Sequence, residues 1–237
     1  MSTRLGIVAA LQFEAGCLTG TPVRPGICQT VTPDVYVFCA GMGQQNARQA
    51  AQALIDANVD ALVSWGVAGA LDPGLVSGDT LLPEAVRDEA QHIYPVNDAW
   101  HASLKSRLDH QHVYADGTLL STQAMQNDER QKSDLSQATK ARAIDMESAA
   151  VASTALDANK PFVVVRTIFD TSSMRIPASS TNATDQYGQV SIPKLATGLI
   201  KKPAELLQYP QMIASFAKAR RSLQRIVERC GRDLCFP

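Results

Sequence analysis

Phe162-Val-Val-Val-Arg-Thr-Ile-Phe-Asp170 is the stretch on which the fold turns. Apolar residues fall at odd and even positions alike, β-branched side chains dominate, and no helical period runs through it. It therefore predicts a strand buried on both faces and ending at Asp170. Upstream, residues 5–10 and 35–40 have the same character, and residues 61–65 form a further short apolar run. Between these runs, Ala47, Ala50, Ala51, Leu54 and Ile55 recur at helical spacing, with Asn58 as a stop. Strands alternating with helices predict an α/β fold: a mixed, largely parallel central sheet flanked by helices, with ligands beyond the carboxyl ends of the strands. Glu14, Gly66 and Asp170 all fall at such ends.

Other segments are read the same way. Gly66-Val67-Ala68-Gly69 predicts a turn that lets a ligand approach the backbone. Residues 87–112 are polar, carry all four histidines and lack sustained periodicity, which predicts loops and weak edge strands. Asp145-Met146-Glu147 reads as the opening of a helix that continues through Ala149, Ala150, Ala152 and Ala155, its acids complementing the helix dipole. From residue 191 the chain breaks into short helical pieces at Pro193, Pro203 and Pro210. Residues 201–232 hold eight lysines and arginines against Glu205 and Glu228, with an apolar stripe of Met212, Ile213, Phe216, Leu223, Ile226 and Val227. The organisation expected is one domain, with residues 1–190 catalytic and 191–237 a basic helical extension of the same unit.

Composition excludes several classes of function. A formal charge of -1 gives no overall field to hold a polyanion, so nucleic-acid binding would have to come from a local patch, and none is evident before residue 200. Five scattered cysteines fit free thiols in a reducing compartment, so the expectation is a cytoplasmic protein. No apolar run reaches the roughly 20 residues that span a bilayer. Gly41-Met42-Gly43 lacks the third glycine of a dinucleotide fingerprint, since Asn46 stands there. The histidines and cysteines have no metal-ligand spacing, and His110 and His112 lie on an exposed polar stretch, so no metal is expected. No serine sits at the centre of Gly66-Val67-Ala68 to make a nucleophile elbow.

Three carboxylates at element boundaries remain as chemistry: Glu14, Glu147 and Asp170. Taken singly, each has an ordinary explanation as a helix cap or dipole partner. Together they lie in four motifs: Gly6-Ile-Val-Ala-Ala-Leu-Gln-Phe-Glu14, Ser64-Trp-Gly-Val-Ala-Gly-Ala-Leu71 with Gly78-Asp79, Asp145-Met-Glu-Ser-Ala-Ala150, and Val163-Val-Val-Arg-Thr-Ile-Phe-Asp170. In this order the four resemble the methylthioadenosine and adenosylhomocysteine nucleosidases of the nucleoside phosphorylase superfamily. The resemblance runs from about residue 5 to residue 175. It implies cleavage of the N-glycosidic bond of a purine nucleoside, with no cofactor beyond phosphate as a candidate co-substrate.

The resemblance also implies roles. Glu14 positions the attacking water, Glu147 and Met146 hold the ribose, and Asp170 protonates the purine at N7, for which its carboxyl must be shielded and its pKa raised. Met125 falls near the base-stacking position, where a thioether can meet a π face. Phe169, Gly66 and Val67 complete the candidate binding set. Phe169 stands where nucleosidases carry serine. Ser64 and Val67 stand where phosphorolysing relatives carry an arginine and a serine for phosphate, which tilts the residues toward hydrolysis; Arg48 or Arg166 could reach a phosphate from elsewhere. Asp145-Met-Glu-Ser148 and the basic, proline-broken extension resemble the bacterial hopanoid-associated nucleoside phosphorylases. That implies an adenosylhopane-like, lipid-linked substrate and peripheral contact of residues 201–232 with the inner membrane. The family also implies a homodimer. The competing reading is a nucleoside-binding or regulatory protein without turnover.

Overall fold

The computed structural model describes residues 3–108 and 111–237. The first half of the chain runs β1 (Leu5–Ala9), α1 (Gln12–Thr19), β2 (Cys28–Thr32), β3 (Val35–Cys39), α2 (Gln44–Asp56), β4 (Ala61–Ala70), β5 (Thr80–Leu81), β6 (Ala85–Asp88), β7 (Ile93–Pro95) and α3 (Asp98–Leu108). The second half runs β8 (Val113–Tyr114), β9 (Thr118–Ser121), α4 (Glu129–Thr139), β10 (Ala143–Asp145), α5 (Ser148–Asp157), β11 (Phe162–Asp170), α6 (Ala178–Ala183) and α7 (Ile192–Lys201). A 3₁₀ helix (Pro203–Gln208) and α8 (Tyr209–Cys230) close it.

The strands form one mixed, largely parallel sheet in the order β2-β3-β1-β4-β10-β9-β6-β7, with β11 on β4 and β5, and β8 on β5. β4 is its axis. β11 lies parallel to it from Phe162 opposite Leu62 to Ile168 opposite Ala68, and both strands are almost wholly buried. On its other side β4 changes partners. Residues 61–65 pair with β1, whereas Gly69 and Ala70 pair antiparallel with β10. Residues 66–68, between the two pairings, leave ladder groups for something other than a strand, and buried backbone donors must be satisfied.

Helices cover the sheet. α2 buries Ala47, Ala50, Ala51 and Leu54 and is followed by Asn58 in the left-handed region at φ 59°. α8 lies across β11 with Ser215, Ala219, Leu223, Ile226 and Cys230 inward. Trp100 of α3 is fully buried and donates its indole N–H to the carbonyl of Leu234 at 2.8 Å, which fastens the chain's end to the domain. Removing such a side chain costs about 3–5 kcal/mol. All five cysteines are free thiols. Among the described residues no helix is long and apolar enough to cross a membrane.

Several expectations are corrected. Residues 66–69 are the second half of β4, not a turn, because β11 and β10 pair with them. Residues 87–112 contain α3, whose Trp100, Leu104 and Leu108 bury one narrow face at a spacing of four. Asp145 ends a strand instead of opening a helix, and α5 begins at Ser148. On α8 the buried stripe shares Leu223 and Ile226 with the expected one, while Ile213 and Phe216 are exposed. His110 lies outside the described residues.

Candidate active site

Glu14 sits in the first turn of α1 and is 2% exposed. One oxygen accepts the Leu11 N–H at 2.8 Å, and the other accepts the Val67 N–H at 2.8 Å. The second bond satisfies part of β4 that neither β1 nor β10 reaches. It also requires glycine at position 66: a Cβ there would stand 2.4 Å from Glu14 Oε1 and 2.7 Å from Arg166 Nη1. The φ of 154° at Gly66 is likewise one that L side chains rarely adopt. Burial raises the pKa of Glu14, against the pull of Arg166 and of the backbone donors at Leu11, Val67 and Ala10.

Arg166, in the middle of β11, is 1% exposed and must be paired at that depth. Its Nε and Nη2 donate to Asp145 Oδ2 at 2.9 and 2.6 Å, and Nη2 also donates to Ser64 Oγ at 2.8 Å and Ser148 Oγ at 3.0 Å. Glu147 Oε2 is 4.0 Å from Nη2. Burial alone would lower the arginine's pKa, but Asp145, Glu147 and Glu14 together hold it above its ordinary value. Ser64 is thus spent inside this network, and Arg166 serves carboxylates within the protein. Arg48 is exposed on α2.

Glu147 caps the approach to α5. Its Oε1 accepts the Gly43 N–H at 2.9 Å, and its Oε2 accepts the Met146 N–H at 3.3 Å. Burial, then the neighbouring Asp145 charge, pushes its carboxyl up to about 7, with Arg166 and the Gly43 N–H opposing. One guanidinium therefore faces three buried acids, Glu14, Asp145 and Glu147. With its carboxyls ionised such a cluster carries negative charge in excess, and a cation placed against it would be stabilised.

Asp170 ends β11 and is 7% exposed. Gly69 of β4 lies close against it: a Cβ there would stand 3.0 Å from Asp170 Oδ2. Its partner is Lys132 of α4, a fully buried lysine whose ammonium donates to Asp170 Oδ2, and to the carbonyls of Thr171 at 3.0 Å and Met174 at 3.4 Å. Burial raises the Asp170 pKa more than Lys132 lowers it. Lys132 is the residue that sequence reasoning missed. It lies in the polar helix Glu-Arg-Gln-Lys-Ser-Asp-Leu-Ser-Gln-Ala-Thr, where a lysine gives no sign of burial.

One cavity of about 150 Å³ joins these parts. Glu14, Glu147 and Asp170 line it together with Met146, Met125, Phe169, Val67, Met42 and Ile176. Met125 is 41% exposed at its mouth. Of the candidate catalytic and binding residues named from the sequence, Gly66 stands behind the wall, where it makes room for Glu14. Acid at one end, a negative cluster at the other and apolar walls between them suit a ligand with a basic heterocycle and a polyhydroxylated centre.

Comparison with known proteins gives the lineage. The family model of the phosphorylase superfamily matches residues 4–189. The chain belongs to that superfamily. Among solved structures, futalosine hydrolase of Helicobacter pylori superposes with a TM-score of 0.72 at 17% identity, covering 97% of each chain. The Helicobacter pylori 5′-methylthioadenosine/S-adenosylhomocysteine nucleosidase with butyl-thio-DADMe-Immucillin-A gives 0.69 at 17% identity, over 96% of this chain and 99% of that one. The same enzyme from Neisseria meningitidis, with methylthio-immucillin-A, gives 0.67 at 16% identity, over 96% and 99%. At these identities the likeness is one of fold. No curated protein matches the sequence.

Proposed function

We propose that this protein hydrolyses the N-glycosidic bond of an adenine nucleoside, with Asp170 as general acid and Glu14 positioning the attacking water. The observation that carries the reading is the single cavity lined by Glu14, Glu147 and Asp170, with one arginine behind the first two. Heterolysis at C1′ leaves a sugar cation and a base that departs poorly as an anion. Asp170 removes the second difficulty by protonating N7. Glu147 accepts hydrogen bonds from the ribose hydroxyls, and the charge it shares with Glu14 and Asp145 favours the developing cation. Met146 packs on the ribose and Met125 on the base. The acid and the field come from the protein and the acceptor is water, so the proposed reaction needs no cofactor.

Water is favoured over phosphate as acceptor because, among the described residues, the cation beside Glu14 is Arg166, which is committed to Asp145, and the Val67 N–H is committed to Glu14. For the substrate we propose an adenosine with a large apolar 5′ substituent of the adenosylhopane type, on a homodimeric enzyme that touches the membrane. Support comes from the C-terminal extension. Ile192, Ile200, Leu206, Leu207 and Ile213 are exposed there, with Leu207 at 85%, beside Lys194, Lys201 and Lys202. Apolar side chains flanked by lysines suit an anionic lipid surface.

The test is adenine release from adenosine, 5′-methylthioadenosine and a 5′-alkyl-lipid adenosine, each with and without phosphate. Release without phosphate, fastest for the lipid nucleoside, is the expected result. Strict phosphate dependence with ribose 1-phosphate as product overturns the acceptor, and no release from any of the three overturns the enzyme reading.

A further inference from the structure

We propose that Lys132 and Asp170 work as one acid, Lys132 being the positioning residue that keeps a proton beside Asp170 and supplies the one Asp170 passes to the base. The proposal rests on the reading of Asp170 as the general acid. An acid that must hold a proton and yet faces a buried ammonium needs an account of where that proton resides.

The geometry supplies one. Nζ has three acceptors around it: the carboxylate of Asp170 and the carbonyls of Thr171 and Met174. As an ammonium, Nζ has three hydrogens for three acceptors. As a neutral amine it keeps two hydrogens for the two carbonyls, and its lone pair accepts the O–H of a protonated Asp170. Both arrangements satisfy every polar group, so one proton can sit on either side without an unpaired buried atom. Among the described residues, Lys132 of α4 is the charged group that faces Asp170. β4 presents Gly69 to it, and the segment after β11 presents only the two carbonyls to Nζ.

The cycle balances. A proton moves from Nζ to the carboxylate, and the carboxyl then gives a proton to N7 as the C1′–N9 bonding electrons pass to the base. Adenine leaves neutral, the sugar cation takes the oxygen of water, and that water's spare proton goes to solvent. Asp170 is left ionised beside a neutral amine, an unfavourable pairing that a proton from solvent restores. In the resting enzyme the pair thus holds one proton between Nζ and the carboxyl, with every buried polar group satisfied on either side.

Two variants and two substrates test this. Lys132→Met removes the proton and the three hydrogen bonds. Lys132→Gln keeps an amide N–H to hold the 171–174 carbonyls while removing the transferable proton. The substrates are 5′-methylthioadenosine, whose base must be protonated, and para-nitrophenyl riboside, whose leaving group departs unaided. Expected is a loss of kcat on methylthioadenosine of about 10²-fold in both variants, the scale of general acid catalysis. The nitrophenyl substrate should lose less than about three-fold. The alkaline limb of the methylthioadenosine profile should move toward acid, because Asp170 must then hold the proton alone. If Lys132→Met does not fold, Lys132→Gln carries the same comparison. Equal losses on both substrates with an unmoved limb, or a fully active Lys132→Gln, reduce Lys132 to a tether and overturn the proposal. Asp170→Asn separates the two levels: if it still cleaves methylthioadenosine, the acid reading itself falls, whatever Lys132 does.

Discussion

Replacing Glu147 with glutamine should stabilise the protein above neutral pH while abolishing its activity. In the folded chain burial and Asp145 raise the Glu147 carboxyl from an ordinary 4.5 to about 7. The folded state therefore binds this proton more tightly than the unfolded chain does. The stability that follows is fully present below pH 4.5, is lost as pH rises toward 7, and stays lost above it. At roughly 1.4 kcal/mol per pH unit, the interval amounts to about 3 kcal/mol. Glutamine occupies the same volume, its Oε1 keeps the Gly43 N–H, and it never ionises. Its cost is an amide facing the Met146 N–H where Oε2 now accepts a 3.3 Å bond.

Thermal melts of wild type and Glu147→Gln from pH 4.5 to 8.5 read this directly. The two should melt together near pH 4.5 and diverge as pH rises. Above pH 7 the variant should melt roughly 6–12 °C higher, at about 2–4 °C per kcal/mol for a chain of this length. Over the same interval wild-type kcat/KM should rise to a plateau, since in the proposed reaction the ionised carboxylate accepts the ribose hydroxyls and favours the sugar cation. A constant difference between the two melting curves across this range would refute the argument, because it would mean that Glu147 carries no folding penalty when ionised.

Gly66→Ala should cost at least ten-fold in kcat and about 1–3 kcal/mol in stability, because its Cβ would meet Glu14 Oε1 at 2.4 Å; steady-state kinetics and urea melts check both. Arg166→Met should destabilise the fold by about 3–5 kcal/mol by leaving Asp145 buried and unpaired, and a loss under 1 kcal/mol in urea would sink the account of the network. Ile200→Glu with Leu207→Glu should abolish co-sedimentation with anionic phospholipid vesicles while sparing adenine release from adenosine, as both side chains lie on the exposed extension; unchanged co-sedimentation would remove the case for membrane contact there.

The parts of this molecule legible in the sequence are those whose signal is local. The run Phe162–Asp170 reads as a buried strand because six of its nine side chains are apolar, fall at odd and even positions alike and are rich in β-branched residues. Glu14, Glu147 and Asp170 were legible as a set only through the resemblance of their motifs to a known family, and the fold brings them to one cavity. What stayed hidden depends on contacts between distant segments. Residues 66–69 look like a turn because glycine usually marks one; here Gly66 is a strand residue that must lack a side chain because Glu14, 52 positions away, fills the space. α3 escaped because its buried face is three residues in a polar stretch. Lys132 resembles any surface lysine until Asp170 and two carbonyls are placed around it.

The departure at position 64 then acquires a physical reason. An arginine at 64 would bring a second guanidinium beside Arg166, in a space now filled by two serine hydroxyls 2.9 Å apart. It would also cancel much of the negative charge that Glu14, Asp145 and Glu147 hold in excess. In the proposed reaction that excess, when the acids are ionised, would oppose a phosphate, which enters as an anion, and admit water, which enters neutral and loses its proton as the sugar cation is quenched. A site built to favour the cation through a buried acidic cluster, and a site built to hold phosphate, thus make opposite demands on position 64. Serine there is the choice that keeps the cluster acidic, which is why the acceptor and the charge of the site should change together: Ser64→Arg should lower hydrolysis even if it admits phosphate.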